Sequence, residues 1–148
     1  FHTGYEHSCK VISQKFTNPA KLQRALDHGG TIIAAHCGSC AFYDRENYYP
    51  QFIKMMRRND NLYGDTAVMA GLIRPAACRK LSREDTDITR RIIHGSDYPI
   101  PPSRIPHLLR CRPFPPNRKN LLDLDLHIKR SYNFSPQYES LILDLLQP

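Results

Sequence analysis

At 148 residues, with 41% hydrophobic residues, the chain is the size of one ordinary domain or of a piece of a larger one, and it can bury a core without staples. It shows no apolar run near the roughly 18 to 20 residues that span a bilayer and no basic-then-apolar leader, and its five irregularly placed cysteines suit reduced thiols. A cytoplasmic chain without a membrane partner is the expectation. The formal charge of +7 is spread over pairs such as Arg57-Arg58, Arg79-Lys80, Arg90-Arg91 and Lys129-Arg130 in different predicted elements, which reads as solvated surface and argues against a nucleic-acid partner.

The chain opens at Phe1-His2-Thr3-Gly4 with no room for a strand before it, as expected of a piece of a larger domain. An Asn18 cap, Pro19 at the first helical position, Leu22, Ala25 and Leu26 at helical spacing and a Gly29-Gly30 stop predict a helix over 18–28. The continuous apolar run Thr31 to His36 then has the form of a strand buried on both faces. The unit repeats: Asp44 is the expected cap of a helix running through Phe52, Ile53, Met55 and Met56 to about Arg58, and Leu62 to Asp65 is the next short strand. Helical sequence is expected from about Ala67 to Arg91, interrupted near Pro75 and at Ser82 to Asp85, before a third strand at Arg91 to His94. Strands alternating with helices favour βα units wound into a barrel or a doubly wound sheet.

Beyond Asp97 the prolines crowd, and 98–118 reads as a loop over an active site rather than a helix or a central strand. A polyproline ligand for a partner domain is the weaker reading of that segment. Two closing helices come next within 119–148: Leu121 to Tyr132, and Ser135 to Leu146 with Ser135 as cap and Pro136 at the first helical position.

His2, His36 and Asp97 each fall at the C-terminal end of a predicted strand, and in a parallel barrel these ends converge on the face that holds the active site. Imidazoles and a carboxylate suit a divalent ion, zinc first, which acidifies bound water and polarises a carbonyl. Tyr5, Glu6 and His7 come after His2, and Tyr98 after Asp97, as candidate contacts to a small-molecule substrate. His94 reads as a structural hydrogen-bonding residue, and Asp65 either bonds within the site or caps the next segment of the chain. Cys37-Gly38-Ser39-Cys40 also fits a thioredoxin-like redox pair, a reading that leaves the other motifs unexplained.

Taken in order, His2-Thr3-Gly4, Ala35-His36-Cys37-Gly38, Asn61-Leu62-Tyr63-Gly64-Asp65 and His94-Gly95-Ser96-Asp97-Tyr98-Pro99 resemble strands five to eight of the amidohydrolase superfamily. That group comprises amidohydrolase-related metal-dependent hydrolases and includes the aminocarboxymuconate semialdehyde decarboxylase type. The resemblance implies an α/β fold over 1–148, the C-terminal half (strands 5–8) of a TIM-type (β/α)8 barrel. It implies His2 as the strand-five metal ligand, His36 as the strand-six histidine that binds metal or polarises substrate, and Asp97 as the strand-eight carboxylate that touches metal and takes a proton from its water. The implied activity is hydrolysis of an amide, ester or lactone, with non-oxidative decarboxylation on the same site as the alternative. The strand-one ligand pair and any strand-four ligand of the family are absent. A homo-oligomer, or association with the N-terminal half of the barrel, is therefore expected; a catalytically incomplete half-barrel or truncated fragment serving only assembly is the reading from another class.

Overall fold

The computed structural model describes residues 1–111 and 120–147; the 112–118 part of the proline-rich loop, Lys119 and Pro148 lie outside the described residues. The architecture is mixed α/β. Helix α1 (Gln23–Asp27) precedes strand β1 (Ile32–Ala34), α2 (Tyr49–Met56) connects it to β2 (Leu62–Asp65), and α3 (Pro75–Leu81) and α4 (Thr86–Thr89) lead to β3 (Ile92–Ile93). Helices α5 (Leu121–Arg130) and α6 (Leu141–Leu145) come last. The strands pair in parallel in the order β1-β2-β3, with Ile33 opposite Tyr63, Ala34 opposite Gly64 and Gly64 opposite Ile92. No helix among the described residues is long and apolar enough to cross a membrane.

The period of two along a strand puts Ala34, Gly64 and Ile92 on one face. That face packs into the core with Leu22, Leu26, Phe52, Met56 and Ile128. Burying each of the large side chains in this cluster contributes about 1.5–3 kcal/mol. Residues 1–3 lie along the free edge of β1: the Phe1 amino group donates to the Ile33 carbonyl (2.8 Å), the Ala35 N–H to the Phe1 carbonyl (2.8 Å), and His2 and Ala35 form a parallel bridge. The outer side of β3 also has a partner, since the His94 N–H donates to the Tyr138 carbonyl at 3.0 Å.

Several expected elements are redrawn by local chemistry. The 18–28 helix divides into a 3-10 turn at Pro19–Leu22, with the Asn18 side chain capping Ala20 N–H, and α1. Asp44 does not cap a helix. Its carboxylate turns back to the Ala41 N–H (2.6 Å) and to His7 (2.9 Å), and α2 starts only at Tyr49, with Pro50 in its first turn where a missing N–H is harmless. The helical reading of Ala67 to Arg74 fails: this stretch is a chain of tight turns, closed by Met69 N–H to Thr66 carbonyl and Gly71 N–H to Val68 carbonyl. Asp85 caps α4 through the Ile88 N–H (3.1 Å). The long helix expected from Ser135 shrinks to α6, because Tyr138 is drawn inward, 4% exposed, with its hydroxyl on Thr66 (2.5 Å).

The solvated-surface reading of the charge also fails for three cations, since Arg74, Arg91 and Lys129 are buried. Arg91 donates to the carbonyls of Met56 (2.7 Å), Asn59 (2.8 Å) and Leu62 (3.3 Å), tying the end of α2 to the start of β2. Lys129 donates to Asp125 (2.8 Å) and to the Gly95 carbonyl (2.5 Å).

Gly64 is where α2 and the turn after β1 approach β2 most closely. A Cβ there would stand 2.5 Å from Cys37 Sγ and 2.7 Å from the Phe52 ring, both wholly buried. Gly64→Ala is expected to destabilise the chain by about 1–3 kcal/mol, through overpacking. The urea midpoint measures it, and an unchanged midpoint would mean that Cys37 and Phe52 move aside freely.

Candidate functional site

Parallel pairing delivers the C-terminal ends of residues 1–3, β1, β2 and β3 to one end of the sheet. His2, His36 and Asp97, far apart in sequence, there line a single cavity of about 150 Å³. Tyr5, Glu6 and His7 line it too, as expected, and so does Arg74, which nothing in the sequence pattern had singled out. Tyr98 is not among the lining residues and is 66% exposed. A larger opening of about 620 Å³, between Arg79, Arg83, Tyr132 and residues 105–110, contains none of the expected site residues.

Each lining group is held from below. His36 donates its backbone N–H to Asp65 Oδ1 (2.9 Å), and its Nδ1 lies 3.1 Å from the Ala67 carbonyl. A carbonyl only accepts, so Nδ1 carries the hydrogen, and in the neutral imidazole the lone pair is then on Nε2. Asp65 serves both roles foreseen for it, clamping His36 and accepting the Ala67 N–H (3.0 Å) that opens the next turn. The Thr3 hydroxyl donates to the Ala35 carbonyl (2.6 Å) and accepts from the Gly38 N–H (2.8 Å), which stitches the His2 segment to the His36 turn. Gly4, at φ +85°, could not be another residue here: a Cβ would fall 2.2 Å from the Ser39 carbonyl. His94 is structural, as expected, meeting Asp125 at 3.1 Å and the edge of the Tyr138 ring.

Backbone strain gathers around the cavity. His36 (φ 65°), Val68 (φ 59°) and Asp97 (φ 62°) all line it in the left-handed region, and Cys37 (φ 51°) comes directly after His36. Such conformations cost non-glycine residues about 1–3 kcal/mol each and concentrate at functional sites.

Two carboxylates beside the cavity are matched to imidazoles, while the guanidinium in its wall is not matched. His2 and His36 meet edge to face, with ring centroids 4.7 Å apart. The Nε2 of His2 is 3.2 Å from the Gly4 carbonyl and its Nδ1 is 3.3 Å from Glu6. Burial, then the neighbouring His36, lower the His2 pKa below its ordinary 6.5 against the pull of Glu6. Desolvation works to raise the Glu6 carboxyl, but the Ser8 N–H and His2 together hold it below its usual range. His7 pairs with Asp44 at 2.9 Å. Arg74, only 4% exposed, forms no ion pair among the described residues. It donates instead to the Tyr5 carbonyl and, at 3.4 Å, to Ser39 Oγ, and its Nε is buried without a partner. Its backbone angle has a local cause, since the residue before a proline is pushed out of the helical region and Arg74 sits at φ −127° before Pro75.

The donor types suit a divalent metal, but among the described residues no three His, Cys, Asp or Glu side chains converge to hold an ion. Both nitrogens of His2 already face acceptors of this chain. The redox reading of Cys37 and Cys40 loses its chemistry, since Cys37 is wholly buried, burial pushes its thiol well up, and it donates to the Asp65 carbonyl (3.0 Å). No known family's model, no curated protein and no solved structure matches the chain.

The depressed His2 pKa carries a sign that can be checked. The stability this imidazole contributes is complete above its unfolded value near 6.5 and is lost as pH falls through its lower native value. Its Cε1–H resonance is expected to titrate below 6.5, and His2→Gln to flatten the loss of stability as pH falls below 6.5. A His2 midpoint at or above 6.5 would show that Glu6 outweighs burial.

Proposed function

We propose that the cavity bounded by His2, His36 and Asp97 is a hydrolytic active site of the amidohydrolase type, acting on an amide, ester or lactone. In this reading the chain forms strands five to eight of a TIM-type barrel, with residues 1–3 as the first of the four. One observation carries it: three residues chosen for their places at strand ends line one cavity, and two of them, His36 and Asp97, are in left-handed conformations. The monotonic parallel order β1-β2-β3 supports the barrel, since a doubly wound sheet would reverse direction where its crevice opens.

The chain's own groups set what the site can do. Asp97 is the carboxylate available to take a proton from an attacking water, and His36 presents Nε2 to the cavity because Ala67 fixes Nδ1. Val68, Ile73 and Ile100 supply apolar wall to the cavity around them. The zinc expected for such a site does not fit the donors as they stand, so no step is routed through it. Ligands from a second copy, or from the N-terminal half of the barrel, are the missing part.

In the assembled enzyme, Asp97→Asn is expected to lower kcat for ester, lactone or amide hydrolysis by about 10²–10⁴-fold, the usual share of general acid–base catalysis, with little change in thermal midpoint. Undiminished turnover would remove Asp97 from the mechanism, and carbon dioxide release without hydrolysis would transfer the site to the decarboxylase reading. The half-barrel also requires association. Light scattering is expected to give a mass above the 17.1 kDa of one chain, whereas a monomer at every concentration would remove the half-barrel.

A further inference from the structure

Arg74 is the one cation in the cavity wall that has no ion pair among the described residues. Arg74 lines the cavity from the position just before α3, is 4% exposed, and its Nε has no partner among the described residues. Asp44, Asp97 and Glu6 favour its charge through space, but none forms an ion pair with it among the described residues: Glu6 faces His2 at 3.3 Å and Asp44 faces His7 at 2.9 Å. A cation buried with an unused donor is unfavourable unless an anion supplies what the protein withholds. Here the neutral contacts to Tyr5 and Ser39 hold the guanidinium in place, and no carboxylate among the described residues forms an ion pair with it.

We propose that Arg74 is the anchor for a carboxylate group on the substrate, bound in the cavity beside His2, His36 and Asp97. This rests on the cavity being the substrate site, as proposed above. Carboxylate is favoured over a larger anion because the cavity is small, about 150 Å³, and because the planar guanidinium matches the two oxygens of a carboxylate. The group held by Arg74 is an anchor and not the one that reacts. A guanidinium paired with a carboxylate stabilises charge where it starts, so it would hinder loss of carbon dioxide, whereas a carboxylate remote from a scissile amide, ester or lactone bond orients that bond equally in ground and transition state. Arg74 thereby selects acidic substrates for a hydrolase.

The test uses the whole chain and three probes: benzoate, its uncharged isostere benzamide, and inorganic phosphate. Benzoate is expected to raise the thermal midpoint and to shift the His2 and His36 ring resonances, with benzamide inert. In Arg74→Gln the benzoate affinity should fall by at least about tenfold, and Arg74→Lys, which keeps the charge and loses the planar edge, should fall between the two. Benzamide binding as tightly as benzoate, or benzoate binding unchanged in Arg74→Gln, would overturn the proposal, and phosphate binding more tightly than benzoate would overturn the assignment to carboxylate. Should Arg74→Gln fail to fold, the contrast between benzoate and benzamide on the native chain still decides it. None of these readouts involves turnover or Asp97, so a failed hydrolase reading shows up separately, as full activity of Asp97→Asn.

Discussion

Strands of two to four residues cannot hold their own register, and in this protein side chains at both ends of the sheet do it for them. At the lower end, the Asn61 amide donates to the carbonyls of Leu26 (3.1 Å) and Gly30 (2.9 Å), fixing where β1 and β2 begin, while Arg91 gathers the carbonyls around the start of β2. At the upper end, Asp65 joins the His36 and Ala67 N–H groups, and the Thr66 N–H continues the pairing to the Ile93 carbonyl (3.2 Å). A slip of one residue would turn every strand side chain to the other face. It would bring Tyr63 toward the core and carry the residues after each strand out of the cavity.

The same device reaches Asp97 from the helical side. Lys129 and Asp125 are four residues apart on α5, a buried pair that the half-buried His94 joins and whose ammonium also holds the Gly95 carbonyl. Buried pairs of this kind seldom add stability over an apolar replacement. Their use is positional: α5 is docked at one place relative to the chain leaving β3, and the turn that carries Asp97 starts from a fixed base. Apolar contacts would bury as much surface and leave that start free to slide.

Strain and packing are divided between the two sides of the sheet. Toward the helices lie Phe52, Met56, Leu62 and Ile92, in regular conformations and wholly buried. At the strand ends lie His36, Val68 and Asp97 in left-handed conformations, around a cavity lined by the buried Arg74, which has no ion pair among the described residues. The core offsets what the cavity costs. A site assembled in this way is set before ligand arrives, so the substrate proposed for it would not have to organise the groups that bind it.

Sequence alone determined the elements whose causes are local. The Asn18-Pro19 start, the strand Leu62–Asp65, the helix beginning at Leu121 and the βα alternation all arise from caps, prolines and the spacing of apolar residues. It also selected His2, His36 and Asp97, because a strand's end is a local feature and parallel pairing sends all such ends the same way. The features it could not supply depend on partners distant in the chain. Asp44 has the character of a helix cap and is taken by Ala41 and His7; Ser135 and Pro136 have the form of a helix start, yet Tyr138 is pulled inward to Thr66 and His94; Arg74, Arg91 and Lys129 look like surface charge and are buried. Whether a charge is covered, what it faces and whether anything neutralises it are properties of three-dimensional neighbourhoods. Only the tertiary structure could therefore single out Arg74 from the other cations, since its distinction is burial in the cavity wall without an ion pair among the described residues, and no local pattern of residues encodes that.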